Sequence, residues 1–195
     1  MPAIILAAGA SRRLGQPKQL VQIAGETLLA RTIRIVGESG ADPVFVVLGA
    51  HREIIAANVD LSHIHPAYNP LWEQGIASSI HAGMTALHEF DPEAKAALLL
   101  VCDQPRLTAE HLRSLIRAYE QTVEPAIVGC IIVASQYAGI AGIPAIFPAS
   151  QFASLMALQG DAGAKILLQG PALSRVALPF AGGEIDVDTP SDLPL

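Results

Sequence analysis

The stretch PAIILAAGASRRLGQPK, residues 2–18, sets a short apolar run against a loop rich in glycine and cations. AIIL (3–6) shows no apolar/polar alternation, so it reads as a strand covered on both faces, as in a parallel sheet. In the loop, Gly9 and Gly15 lie six apart, and Gln16-Pro17-Lys18 follows. A P-loop needs G-x-x-x-x-G-K, and a dinucleotide fingerprint needs three closely spaced glycines leading into a helix. Neither register fits, and Pro17 argues against a helix directly after the loop. The physical content of a phosphate loop survives both mismatches. Gly9 lets the backbone approach a ligand, and its neighbours, Ser11 among them, can aim N–H groups at phosphate oxygens. Arg13 brings a planar fork of donors and Lys18 a mobile point charge. The competing reading is a solvated basic surface loop.

Outward from this loop the pattern repeats. PVFVVLG (43–49) and AALLLVCD (96–103) are further buried strands. Between them Leu29, Ile33 and Val36 fall on one helix face, as do Ile80, Met84 and Leu87. Thr108 caps a helix with Leu112, Leu115, Ile116 and Tyr119 on its inner face. Further on, AIVGCIIVA (126–134) and IPAIF (143–147) read as strands. A short helix over Phe152, Leu155 and Met156 should stop at Gly160, and Asp161 should cap another running to Gly170. RVALPF (175–180) and EIDVD (184–188) complete the strands. The expected fold is a single α/β domain over residues 1–195, a three-layer α/β/α Rossmann-like arrangement with a mostly parallel mixed sheet. Ligands in such sheets bind at the carboxyl ends of the strands. The opening loop, Asp103 in CDQP and the acids of DVDTPSD all fall there.

Composition narrows the function classes. The 195 residues are 51% hydrophobic and 15% charged, with 12 basic and 18 acidic side chains giving −6. That balance opposes a general nucleic-acid or anionic-membrane binder but leaves room for a local anion site. Cys102 and Cys130 sit in apolar runs and read as buried reduced thiols, without metal-ligand spacing. No charged segment precedes the first apolar run, and residues 126–149 are broken by Ser135-Gln136, glycines and Pro144. Neither a secretory signal nor a membrane span is expected, so the default location is cytoplasmic. His63 and His65 alone are a poor metal site. His51, His81, His88 and His111 read as surface or capping residues on helices.

LAAGASRRLGQPKQL (6–20) resembles the opening motif of the MobA-like nucleotidyltransferases, with Gly9, Arg13, Gly15, Pro17, Lys18 and Leu20 in register. The resemblance continues through NPLWEQGIASSIHAG (69–83), CDQP (102–105), GIAGIPAIF (139–147), LQGDAGAKILL (158–168) and DVDTPSDL (186–193). It implies a nucleotide held by Leu6, Ala7, Ala8, Gly9, Ser11, Arg13, Lys18, Asn69, Gly75, Ser79 and Asp103. It implies Arg13, Lys18 and Asp103 as catalytic residues. The metal, Mg²⁺ or alternatively Mn²⁺, would sit on Asp103 and on Asp188, with Asp186 as the other choice of second ligand. The acceptor would meet Gly142, Pro144, Gly160, Asp161 and Lys165. Lys165 stands where many relatives carry arginine, which removes the bidentate option there.

The triplet Ala7-Ala8-Gly9 resembles the cytidylyl-transferring branch; guanylyl-transferring relatives carry a second glycine at the position of Ala8. The implied reaction is transfer of CMP from CTP to molybdopterin with release of pyrophosphate, followed by delivery to a molybdoenzyme or cofactor-insertion partner. The alternatives are cytidylyl or guanylyl transfer to another small phosphate, and a non-catalytic nucleotide- or cofactor-binding protein. A purely structural reading competes at several of these residues: Ser78 or Ser79 as a helix N-cap, Asp188 and Thr189 as caps of a turn before Pro190, and Trp72 as a loop anchor. The sequence ends directly after TPSDLPL, so the family's last helix is expected to be rudimentary.

Overall fold

Ala3–Ala7 forms β1, and all five residues are buried. Its alternate side chains enter two different cores. Ala3, Ile5 and Ala7 pack with Leu29, Val36, Leu112 and Leu115, whereas Ile4 and Leu6 pack with Ile80, Met84 and Leu87. This is why AIIL lacks alternation: both faces of the strand are covered by helices.

The computed structural model of the protein describes residues 1–122, 131–169 and 175–192. After β1 come a two-stranded hairpin, β2 (Gln22–Ile23) and β3 (Glu26–Thr27), then α1 (Leu28–Glu38), β4 (Val44–Leu48), α2 (Arg52–Asn58) and β5 (His65–Tyr68). The chain continues through α3 (Ile76–Phe90), β6 (Ala96–Val101), α4 (Ala109–Thr122), β7 (Ile132–Tyr137) and β8 (Ile140–Pro148). Two short helices, α5 (Phe152–Met156) and α6 (Lys165–Leu168), precede β9 (Arg175–Pro179). The sheet order is β5-β4-β1-β6-β8-β7-β9. β5, β4, β1 and β6 run parallel, β8 runs antiparallel to both β6 and β7, and β9 is parallel to β7. The three-layer, mostly parallel mixed α/β fold is therefore observed.

The helices follow their periodicity. α1 buries Leu29 and Val36 but also Leu28, Thr32 and Ile35, with Ile33 at the margin. In α3, Gly83 has a structural reason: a methyl group there would stand 2.5 Å from Ile4 Cγ2, so glycine lets the helix approach β1. Thr108 caps α4 by accepting from the His111 N–H at 3.2 Å.

Several expectations need correction. EIDVD is not a strand: Val187 is buried against Leu14, Val21 and Leu28, and its N–H donates to the Asp103 carbonyl at 3.0 Å. The core contact, this bond and the ion pairs of Asp188 with Arg13 and Lys18 hold the segment without a ladder. IPAIF is the inner part of a nine-residue strand. AIVGCIIVA contributes β7 only from Ile132; residues 126–130, and Cys130 with them, lie outside the described residues, as do 193–195 at the expected terminal helix. The helix after Asp161 is a single turn starting at Lys165, and Asp161 does not cap it. Neither Ser78 nor Ser79 is an N-cap, because α3 starts at Ile76 with Gly75 before it.

Two histidines also differ from expectation. His111 is half-buried, stacks on Phe180 with ring centroids 4.5 Å apart, and lies 2.8 Å from Ser135 Oγ. His81 turns inward with a buried Nε2 that has no partner. Among the described residues, no helix is long and apolar enough to cross a membrane.

Candidate active site

At the carboxyl end of β1 the chain leaves the sheet and folds back before residues 18–20 make one 3-10 turn. Ser11 (φ 52°) and Gly15 (φ 75°) take left-handed conformations in this loop. Gln19 pins it from below: its buried side-chain amide donates to the carbonyls of Ala7 at 2.7 Å and Gly9 at 3.0 Å. Ser11 Oγ accepts from the Lys18 N–H at 3.0 Å. Lys18 therefore starts from a fixed backbone, and only its side chain is free to swing. At Gly9 an added methyl group would meet no protein atom within 4 Å. Packing in the protein does not demand glycine there; the space beside it is cavity.

That cavity, about 450 Å³, is lined by Leu6, Ala8, Gly9, Ser11, Lys18, Trp72, Gly75, Ser79, Asp103 and Asp161, among others. Ala8, almost fully buried, is backed closely by Gly49. A methyl group on Gly49 would stand 2.7 Å from Trp72 Cβ and 2.9 Å from Ala8 Cβ. The cavity's far wall is the start of α3. Buried Asn69 donates to Ser78 Oγ at 2.8 Å and Ser79 Oγ at 3.0 Å, and so orders the turn. Gly75 has φ 100°, and a methyl group there would fall 2.3 Å from the Gly160 backbone. The Ala77 N–H donates to the Gly160 carbonyl at 3.1 Å. Across the mouth, Arg12 and Glu73 approach to 3.3 Å, an exposed pair of little energetic weight.

The charged centre lies where β6 ends. Lys18 Nζ is hydrogen-bonded to Asp103 Oδ2 and stands 3.0 Å from Asp188 Oδ1. Arg13 holds the other oxygen of Asp188 at 2.9 Å. The Lys18 and Asp103 side chains are only 18% and 14% exposed, whereas Arg13 is 75% exposed. Burial disfavours the Lys18 ammonium, but the charge of Asp103 and the hydrogen bonds to Asp103 and Asp188 outweigh it and hold the pKa above the ordinary lysine value. Cys102, wholly buried beside this centre, is pushed up to about 12 by desolvation and then by Asp103, so it stays a thiol. Asp186 stands apart from the ion pairs. Its carboxyl is pushed up to about 6, first by desolvation and then by the charges of Asp103 and Asp188.

The residues fit a divalent metal. Asp103 Oδ1 is buried and has no hydrogen-bond partner, and Asp103 and Asp188 already share one cation, Lys18. Mg²⁺ commonly takes one or two carboxylates and fills its other positions with phosphate oxygens and water. Among the described residues no group of three or more His, Cys, Asp or Glu side chains is assembled. A metal here would need further oxygens from its substrate.

A second cavity of about 310 Å³ adjoins the first and shares Leu6 and Ile76 with it. Tyr137, Ile140, Ile143, Lys165, Glu184 and Asp186 also line it. Of the five residues expected to meet an acceptor, Lys165 alone lines this space. Gly142 lies under Tyr137, where a methyl group would be 2.1 Å from its hydroxyl oxygen. Pro144 faces the core side and its carbonyl accepts from Ser135 Oγ at 2.7 Å. Asp161 lines the first cavity, and Gly160 stands behind it against Gly75. Ala7 points into the core and contributes its carbonyl, and Asn69 acts through the serines rather than lining the first cavity.

Sequence reading passed over Gln19 and Gln104. Gln104 is buried; its amide donates to the carbonyls of Ile143 at 3.2 Å and Gly183 at 2.8 Å, joining the strand end to the walls of the second cavity. The available signal was position: each follows a charged candidate residue directly in the chain.

Comparison with known proteins agrees with this geometry. A family model described as MobA-like NTP transferase domain matches residues 3–176. Purine catabolism protein PucB of Bacillus subtilis (strain 168) is 26% identical over 200 residues, covering 97% of this chain and 92% of that protein. A probable molybdenum cofactor guanylyltransferase of Opitutus terrae is 30% identical over 115 residues, 58% of this chain and 53% of its own length, so the match spans about half of that relative. Among solved structures, Rv0371c of Mycobacterium tuberculosis H37Rv superposes with a TM-score of 0.81 at 28% identity, covering 98% of this chain and 94% of that one. A complex of Rv0371c with manganese superposes with a TM-score of 0.75 at 26% identity and the same coverage. With nearly all of its length matched, from β1 into β9, the chain belongs to the MobA-like NTP transferase domain family.

Proposed function

We propose that this chain is a divalent-metal-dependent cytidylyltransferase. It moves CMP from CTP to the terminal phosphate of a molybdopterin-type acceptor. An acceptor phosphate oxygen attacks the α-phosphorus in line, the bond to the β-phosphate breaks, and pyrophosphate leaves. The observation that carries the reading is the quartet of Arg13, Lys18, Asp103 and Asp188 at the edge of a cavity floored by Ala8 and Gly9. A metal on Asp103 and Asp188 would neutralise charge on the triphosphate and the leaving pyrophosphate. Magnesium is the expected ion, with manganese as an alternative.

The protein's own contribution is positioning and charge. The backbone at Gly9 admits the phosphates, Lys18 and Arg13 take up their charge, and Ser79 and the turn ordered by Asn69 face the nucleoside. Lys165, in the adjoining cavity, offers a cation to the incoming phosphate. The attacking group is already an anion, so no general base is required. Ala8, which lines the cavity and stands where guanylyl-transferring relatives carry a second glycine, favours CTP over GTP. The test is pyrophosphate release with the molybdenum-loaded pterin and each of CTP, GTP, ATP and UTP. CTP should be preferred at least tenfold in kcat/KM. Strict use of GTP would leave the family reading standing and remove the cytidylyl assignment.

A further inference from the structure

Lys18 occupies the position between two carboxylates that a bound metal would take. Its ammonium contacts Asp103 Oδ2 and Asp188 Oδ1 together, and Arg13 holds the remaining oxygen of Asp188. Two cations thus match two anions, and the quartet is neutral without any ligand. The same Lys18 side chain also lines the nucleotide-sized cavity. Its backbone cannot retreat, because its N–H is fixed to Ser11 Oγ and the next residue is buried and tied to Ala7 and Gly9. A free divalent ion entering between the carboxylates would face this ammonium at short range. It would also strip Lys18 of both acceptors while bringing no anion to replace them. A free triphosphate meets the reverse problem, since Lys18 and Arg13 are already committed to carboxylates. A metal–triphosphate chelate resolves both: its metal end satisfies Asp103 and Asp188 while its phosphate oxygens receive Lys18 and Arg13.

We infer that Lys18 acts as an internal stand-in for the metal, so that the site takes up its divalent ion only as a metal–triphosphate chelate. The inference rests on the proposed metal role of Asp103 and Asp188. Lys18 is then a two-position residue, paired with the carboxylates in the free protein and with the triphosphate in the complex. Its removal should have opposite effects on the two ligands.

The probe is Mn²⁺ followed by electron paramagnetic resonance, with and without CTP, on the full chain. Lys18→Met and Lys18→Gln should each bind Mn²⁺ alone at least about tenfold more tightly than the wild type, the scale set by removing a charge one contact away. Both should bind the Mn–CTP chelate at least about tenfold more weakly. Binding of Mn²⁺ alone that is unchanged or weakened in both variants overturns the inference. Adding Asp103→Asn separates the two layers of the argument. Loss of the gained Mn²⁺ binding supports the stand-in. Survival of that binding means the metal sits elsewhere, which overturns the metal assignment and the inference with it. A wild-type measurement guards against a variant that does not fold: the ammonium resonance of Lys18 in nitrogen-15-labelled protein. It should stay in place with millimolar Mg²⁺ alone and move with Mg–CTP. A full shift with Mg²⁺ alone overturns the inference.

Discussion

Lys18 and Gln19 are neighbours with unlike duties. Lys18 supplies mobile charge, whereas Gln19, fully buried, supplies two donors that keep the loop backbone curved above the sheet. Gln19→Leu removes both donors and leaves the carbonyls of Ala7 and Gly9 without them. The expected cost is about 1–3 kcal/mol of stability, measured by denaturant unfolding. The KM for the nucleotide should rise, with a smaller change in kcat. An unaltered KM would show that the loop keeps its shape without Gln19. At this scale the charged residues were legible and the amides were not. Arg13, Lys18, Asp103 and Asp188 announce themselves by charge in loops, Asp103 just past the end of β6. Gln19 and Gln104 have no such mark, since a glutamine's partners are backbone carbonyls that only the folded chain brings near.

Between elements, the decisive joint is the start of α3 against the 160–161 turn. Gly75 combines a left-handed φ with backbone contact to Gly160, so Gly75→Ala should cost about 2 kcal/mol or more. A thermal melt shows the loss, and nucleotide affinity should fall with it because Ser79 and Asp161 share that wall. The joint between α4 and β7 carries a pH signature. Burial lowers the His111 pKa from 6.5 to about 4. As pH falls through 6.5, the unfolded chain takes up a proton that the folded protein still refuses. The stabilisation is complete above 6.5 and is lost as pH falls from there to about 4. The wild-type melting temperature should drop across that window relative to His111→Gln, which keeps a donor but does not titrate there. Parallel curves would contradict the assignment. Both joints were obscure in sequence. Gly75 and Gly160 are far apart in the chain, and His111 looked like a surface residue because its stacking partner, Phe180, lies beyond three further strands.

Across the whole molecule, the order of strands puts the loop after β1 beside the end of β6, and this adjacency creates the charged centre. The parallel half was readable because its strands are continuous apolar runs covered on both faces. The second half was less so: β8 runs antiparallel, and the acid-bearing segment at 184–188 is tied by the Val187 N–H to Asp103, by a buried valine and by the ion pairs of Asp188 rather than by a ladder. Alternation of its acids suggested a strand, and burial of Val187 between two outward acids produces the same pattern without one. Of the residues expected to meet an acceptor, Lys165 lines the second cavity, whereas Gly142 and Pro144 serve the β7–β8 packing. The most direct test of the account is a crystal of the protein grown with CTP and Mn²⁺, read by the anomalous signal of manganese. The account predicts one peak at about 2.1 Å from oxygens of both Asp103 and Asp188, with Lys18 turned onto the phosphates. Manganese bound away from Asp103, at Glu184 and Asp186 for example, would contradict it.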